Sequence, residues 1–249
     1  MKFRLGSKKS NRYVSKSRKM LSLCITLTLV NGGITAFAAD NTATVNGTLN
    51  GTAITGSTNF NQITVIDNSS AVVKDKDGNV TTITNSKAGG WDTIMGANDR
   101  NDNTLVYESV GGNIINVAGN DVITIHNLIG GSSTLSGDPS IRSESIVNNV
   151  INIGNDGQSM GTLQADVIAG GNTERTGYAK AYPFYNVLNL SGMTITGISD
   201  SEDELDNTRV QIYGGLIGSK GTIMQGNVYS NVINIQDSVV LKNADIYGG

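Results

Sequence analysis

The chain is poor in the residues on which most enzymes and metal proteins depend: one cysteine, one histidine, one tryptophan and two prolines in 249 residues. Cys24 lies in an apolar stretch near the N-terminus and follows Leu23, where a lipoprotein signal needs a small residue. If that stretch is removed, the remainder has no thiol, and therefore neither a disulfide nor a Cys-ligated metal. A metal site or a nucleophilic triad built on His126 would need partners that neither cysteine nor a second histidine supplies. His126 sits among the strand-like residues VITIHN, which favours a structural role over a catalytic one. Aromatics make up 5 % and hydrophobic residues 38 % of the chain. The usual apolar share is ~45–50 %, counting Gly, so a thin, elongated core is expected rather than a thick layered one.

Acidic residues are missing from the first 38 positions. Eight basic ones (Lys2, Arg4, Lys8, Lys9, Arg12, Lys16, Arg18, Lys19) precede Met20. A mostly apolar run from Met20 to Val30 follows, then Ala36-Phe37-Ala38 ahead of Ala39. Basic head, short apolar run and an A-x-A site describe a secretory signal peptide, with cleavage expected between Ala38 and Ala39. A buried or membrane-anchored helix is the competing reading, but the run falls short of the ~20 residues a spanning helix needs. Removing eight of 18 Lys+Arg leaves ten against 21 Asp+Glu, a mature charge of −11. An acidic exported chain is not expected to bind nucleic acid or an anionic membrane through bulk charge.

What the chain does have is Gly, 31 residues of it, with Asn nearly as frequent. Four segments align: NIINVAGNDVITIHNLIGG (113–131), NVINIGNDGQSMGTLQADVIAGG (149–171), NVLNLSGMTITGISDSEDELDNTRVQIYGG (186–215) and NVINIQDSVVLKNADIYGG (231–249). Each opens on Asn, an apolar pair, Asn and another apolar residue, and closes on Gly-Gly. Looser relatives occur at 61–66 (NQITVI) and 109–112 (SVGG). In Asn149–Ile153 the two-residue period places Val150 and Asn152 on one face and Ile151 and Ile153 on the other. Gly-Gly fits a turn that needs either positive φ or close backbone approach. Asn on one strand can stack on Asn of the next coil as an amide ladder. No sustained helical period follows residue 38, and Pro139 and Pro183 fall in stretches that read as irregular.

Strands that recur with too little apolar surface for a core of their own bury it by stacking. The fold expected is all-β, a parallel β-helix or β-solenoid over 113–249; a β-sandwich with similar strands is the alternative. Residues 39–112 are less regular, with short strands in 42–57 and around a D-G-N turn in 71–83. They read as a divergent N-terminal β region or a cap on the first edge, with the boundary near 112.

The basic leader, the Gly/Asn/Thr-rich body and the recurrent NVINI…IYGG units resemble the passenger regions of bacterial autotransporter adhesins. That resemblance implies a parallel β-helix displayed outside the outer membrane. The family's C-terminal membrane barrel, with its ~10-residue alternating strands, is not matched in this chain. A piece of a longer reading frame is the favoured expectation, and a short secreted relative the alternative. Association with the outer membrane is expected only through such a barrel.

Three other features compete with bland readings. GNDVI (119–123), GND (154–156) and ANDRNDN (97–103) look like parts of a calcium-binding nonapeptide, but no nine-residue period follows, so they read as turns. Asp200, Glu202, Asp203, Glu204 and Asp206 form the densest acidic run, a solvated insertion unless carboxylates converge from neighbouring coils as in polysaccharide-cleaving β-helix enzymes. The segment NTERTGYAKAYPFY (172–185), which reads as a second insertion between a Gly-Gly and the next NVLNL, concentrates Arg175, Tyr178, Lys180, Tyr182, Phe184 and Tyr185. Aromatics beside basic residues suit stacking on sugar rings or anchoring a protein; plugging a coil end is the plain alternative. SSTLSGDPSIRSESIV (132–147) takes the matching place one repeat earlier, which predicts that both segments emerge on one face.

The expectation is therefore an exported adhesin-like element with no catalytic activity and no cofactor, whose partner is a protein or glycan at the cell surface. A secreted polysaccharide-active enzyme and a self-assembling matrix element are the alternatives.

Overall fold

The chain divides into two units, 1–38 and 39–249. A computed structural model describes residues 43–48, 51–56, 61–75, 77–85, 89–99, 108–137, 143–155, 158, 160–177, 180–198, 209–217, 225–236 and 238–248, all within the second unit.

The alternation read from NVINI sets the frame. Strands Gln62–Val65, Ile114–Val117, Val150–Ile153, Val187–Leu190 and Val232–Ile235 stack in parallel as one sheet. Register is strict: Ile115 pairs with Ile151 and Ile151 with Leu188, Asn116 with Asn152 and Asn152 with Asn189. A second parallel sheet faces it, running through Trp91–Met95, Val122–Ile129, Thr162–Gln164 with Val167–Ala169, and Thr194–Thr196 with Val210–Tyr213. It ends on Val240–Leu241 and Ala244–Tyr247. Ile63, Ile115, Ile151 and Leu188 from one sheet meet Ile94, Leu128, Ile168 and Ile212 from the other in one continuous core, all fully buried. The fold is thus the parallel β-solenoid, and its coils begin at Asn61, Asn113, Asn149, Asn186 and Asn231. Parallel stacking accordingly extends upstream of residue 113.

Two motifs that recur together in sequence also meet in space. The five coil-opening asparagines form a ladder, buried in its first four members. Each of the first four gives both its backbone N–H and its side-chain amide to the Oδ1 of the next, with amide distances of 2.8–3.4 Å. The same amides also reach back to carbonyls of the returning chain: Asn149 to Val110, Asn186 to Ile146 and Asn231 to Pro183. Burying four amides without partners would cost about 1–3 kcal/mol per group; the ladder removes that cost and fixes the register.

Space for the ladder comes from glycine. A Cβ on Gly96, Gly130, Gly170 or Gly214 would lie 2.5–2.9 Å from the Cβ of Asn113, Asn149, Asn186 or Asn231. None of these glycines has positive φ, so close approach is the reason for the closing pair rather than a left-handed turn. The left-handed residue stands elsewhere, immediately before each of the last four ladder asparagines: Gly112, Asn148, Tyr185 and Ser230, with φ of 70°, 56°, 56° and 54°. The Gly-Gly of SVGG therefore has another job, since Gly112 makes this corner and Gly96 receives Asn113.

A second asparagine ladder runs along the outer face, with Asn152 donating to Asn116, Asn189 to Asn152 and Asn234 to Asn189. It lies at the outward positions assigned by the alternation.

The N-terminal edge is closed by antiparallel hairpins. Ser70–Lys74 pairs against Gln62–Val65 and Val80–Thr84 against Ser70–Lys74. Ala43–Thr48 pairs with Gly51–Gly56, which itself lies on Trp91–Met95. The turn at Asp75–Asn79 uses Gly78 at φ 86°, and the Asp75 carboxylate accepts the N–H groups of Asp77 and Asn79. Trp91, fully buried, donates its indole N–H to the Asp67 carbonyl and so ties the cap to the core.

One sequence expectation is corrected. Pro183 is not in an irregular stretch but within the strand Lys180–Phe184, opposite Ile146. It takes an inward, buried place against Gly215, and its carbonyl, which proline retains, accepts the Asn231 amide. Pro139 lies outside the described residues.

Candidate functional site

Beyond the Gly-Gly, the chain makes a further pair of strands before returning to the next ladder asparagine. Ser132–Gly137 lies in register on Asn172–Gly177, and Ser143–Val147 on Lys180–Phe184. The described strands of the two candidate segments, 132–147 and 172–185, are therefore stacked one on the other along one side of the solenoid. They are regular parts of successive coils, not insertions. A small secondary core of Ala97, Val110 and Ile146 underlies their return.

Of the six candidate binding residues, Tyr178 lies outside the described residues, as do Ala38 and Ala39. Arg175 and Lys180 belong to the strands just named, and only their backbone is described. Tyr182 and Phe184 are half-buried. Tyr185 is 54 % exposed. Phe184 and Tyr185 come together, ring centroids 5.2 Å apart at 75°. They are joined by Tyr229 from the following coil, stacked on Phe184 at 5.0 Å and 3° and standing at 76° to Tyr185. Tyr229 was missed in the sequence, although it stands two residues before Asn231, as Phe184 stands two before Asn186. Anchoring the repeats on the ladder asparagine would have paired them.

Tyr185 stands out within its column. Gly112, Asn148 and Ser230 are small residues at the same left-handed corner, whereas a bulky aromatic there carries backbone strain. More than half of its surface faces solvent, so core packing does not account for it.

A second aromatic pair, Tyr213 and Tyr247 of the two IYGG units, stacks at 4.9 Å and 12°. The Tyr213 hydroxyl donates to Gln211 Oε1 at 3.2 Å. Partial burial, and then the charges of Tyr247 and Asp245, raise its pKa above the ordinary 10.0. Beside the pair, Arg209 binds Asp245 across coils at 2.8 Å.

His126 Nδ1 meets Asp166 Oδ2 at 2.7 Å, both partly exposed on adjacent coils. The pair joins one coil to the next. Of the turn motifs, Gly119 accepts the Gly161 N–H, and Gly154 turns with φ 75°. The acidic run 200–206 lies outside the described residues. Its flanking strands continue a coil in which the equivalent break is only Ala165-Asp166, so the added length is confined to 197–209. Among the described residues, no three His, Cys, Asp or Glu side chains converge as a metal site would need. Nor, among those residues, is any helix long and apolar enough to cross a membrane.

No family model, curated protein or solved structure matches this chain.

Proposed function

We propose that the chain is an exported, surface-displayed β-solenoid of the adhesin type, related in plan to autotransporter passengers, which binds a protein or glycan along one side of its coils. The observation that carries this reading is the exposed aromatic corner of Phe184, Tyr185 and Tyr229. It is set on strands stacked in register, with Tyr185 held in a backbone conformation that a smaller residue would occupy at lower cost. Rigid aromatic rings presented on a regular scaffold bind with little loss of conformational entropy. The basic leader with Ala36-Phe37-Ala38 supports export, and the acidic, cysteine-free remainder suits an oxidising route.

The test is a binding assay on intact bacterial cells producing the chain, using glycan arrays and host-cell monolayers. Surface antibody labelling is read in parallel, so that export and binding are scored separately. Export with binding that falls about tenfold or more in Tyr185→Ala and Tyr229→Ala is expected. A chain retained inside the cell, or equal binding by both variants, rejects the reading.

A further inference from the structure

We propose that the ligand of the aromatic corner is an uncharged glycan, seated with the C–H face of a sugar ring on Tyr185 and its hydroxyls on the outer asparagine ladder. This rests on the reading of the corner as a binding surface, and narrows its partner to one chemistry. The ring centroids lie 5.0 Å apart for Phe184 and Tyr229, 5.2 Å for Phe184 and Tyr185, and 6.4 Å for Tyr185 and Tyr229. Those three distances put Tyr185 beside the stacked pair rather than above it. At 75° to Phe184, one face of the Tyr185 ring takes the rim of its neighbour in an edge-to-face contact. The opposite face is left to solvent, in keeping with a residue 54 % exposed. The end of the stack does not cause that exposure, because Asn148 precedes Tyr185 and Ser230 follows it in the same corner column.

Two residues after Tyr185 begins the strand Val187–Leu190, in register with its neighbours on either side. Its outward positions continue two columns, a half-buried aliphatic one through Val150 and Val187 and the amide ladder through Asn116, Asn152 and Asn189. In a chain with 18 basic and 21 acidic residues, none of the outward positions of these strands is charged. An asparagine side chain carries two N–H donors and two acceptor lone pairs. Asn152 gives one N–H to Asn116 and accepts one from Asn189; Asn189 gives one to Asn152 and accepts one from Asn234. Among the described residues, one donor and one acceptor therefore remain on each, repeated at the strand spacing of ~4.8 Å.

A sugar hydroxyl both donates and accepts, so it satisfies an amide that offers one of each. A sulfate or carboxylate only accepts, and would leave the amide oxygens desolvated without a donor. Anionic chains are instead held by guanidinium or ammonium groups, which this face lacks. The C–H faces of an uncharged sugar suit the free face of Tyr185 and the aliphatic column beside the ladder.

The purified 249-residue chain, applied to an array of neutral oligosaccharides and their sulfated counterparts, tests the assignment. Fixed host-cell monolayers treated with protease or with periodate, which cleaves sugar diols, are probed alongside. Expected are binding to neutral glycans, at least about tenfold weaker binding to the sulfated forms, and host-cell binding that survives protease and is lost after periodate. Tyr185→Asn, which places at this corner the residue already used at Asn148, should lose binding at least about tenfold while unfolding at the same or higher urea concentration. Asn189→Val, which removes the spare donor and acceptor, should weaken binding several-fold. Undiminished binding by either variant, or a preference for the sulfated glycans, overturns the proposal. Host-cell binding that depends on Tyr185 but is abolished by protease and spared by periodate overturns it in favour of a protein partner, and leaves the corner a binding surface. Absence of binding to every probe overturns both.

Discussion

The first and last coils carry the same opening and end in opposite states. At the first, Asn61 and the columns of Ile63 and Val65 are fully buried, because hairpins fold back over the edge and reverse its strand direction. At the last, the homologous Asn231, Ile233 and Ile235 are half-buried or exposed. A repeat unit alone therefore does not determine its environment. Burial comes from what lies on both sides, and an antiparallel cap costs the first coil its repeat length: 52 residues separate Asn61 from Asn113, against 36 for the next interval.

Interior and edge substitutions of the same type should separate the two environments. The largest difference is expected for apolar truncation: Ile151→Ala should destabilise by about 2–5 kcal/mol in urea unfolding, and Ile246→Ala by about 1 kcal/mol or less. Equal effects would mean that the last coil is covered in solution. Next, Gly170→Ala should cost about 3 kcal/mol, because its Cβ would press on Asn186 and the Gly214 carbonyl, whereas Gly248→Ala should lie within about 0.5 kcal/mol. Asn149→Ala leaves the Asn113 N–H and side-chain amide without their shared acceptor and removes one of the two donors to the Asn186 oxygen, and should cost about 2–3 kcal/mol; Asn234→Ala on the exposed outer ladder should cost under about 1 kcal/mol.

Smaller effects sharpen the picture at corners and cap. Ser230→Gly should stabilise by about 0.5–1 kcal/mol, as φ 54° is free of strain for glycine. In the cap, Asp67 accepts four bonds from Ser69 and Ser70, and Asp75 is bonded by Asp77 and Asn79. These bonds, the side-chain bond from Ser69 foremost for Asp67 and that from Asn79 for Asp75, lower both pKa values below the ordinary 3.8. A depressed folded-state pKa stabilises above 3.8 and loses that contribution as pH falls through the lower folded value. Trp91 is the single tryptophan and is bonded to Asp67, so its fluorescence should shift on acidification below 3.8 while bulk circular dichroism holds. No shift there, with loss of global structure instead, would show that the cap does not open separately.

Much of the fold was legible because its rules are local. Alternation in NVINI assigned Ile151 inward and Asn152 outward, and stacking followed from strands too short to bury themselves. The socket role of Gly-Gly was legible only as one of two options, since sequence does not distinguish a left-handed glycine from one crowded by a neighbouring coil. The corner column was hidden altogether: Gly112, Asn148, Tyr185 and Ser230 share a backbone conformation and no side-chain chemistry. Pro183 misled because proline normally breaks a ladder, whereas here its carbonyl and ring are what the coil uses. At the candidate site, clustering of aromatics in 172–185 was visible. Completion by Tyr229, 44 residues after Tyr185, needed the true coil length, which a variable break between Thr194–Thr196 and Val210–Tyr213 obscures.

The two asparagine ladders point in opposite senses. Inner amides donate toward the following coil, a direction fixed by the backbone N–H that shares each acceptor oxygen, while outer amides donate toward the preceding one. An α-helix accumulates a macrodipole because all its peptide units align. In this stack every added coil contributes two side-chain dipoles that oppose one another, beside sheets whose own net dipole is small. Such a structure can add coils without building an electric field at its ends.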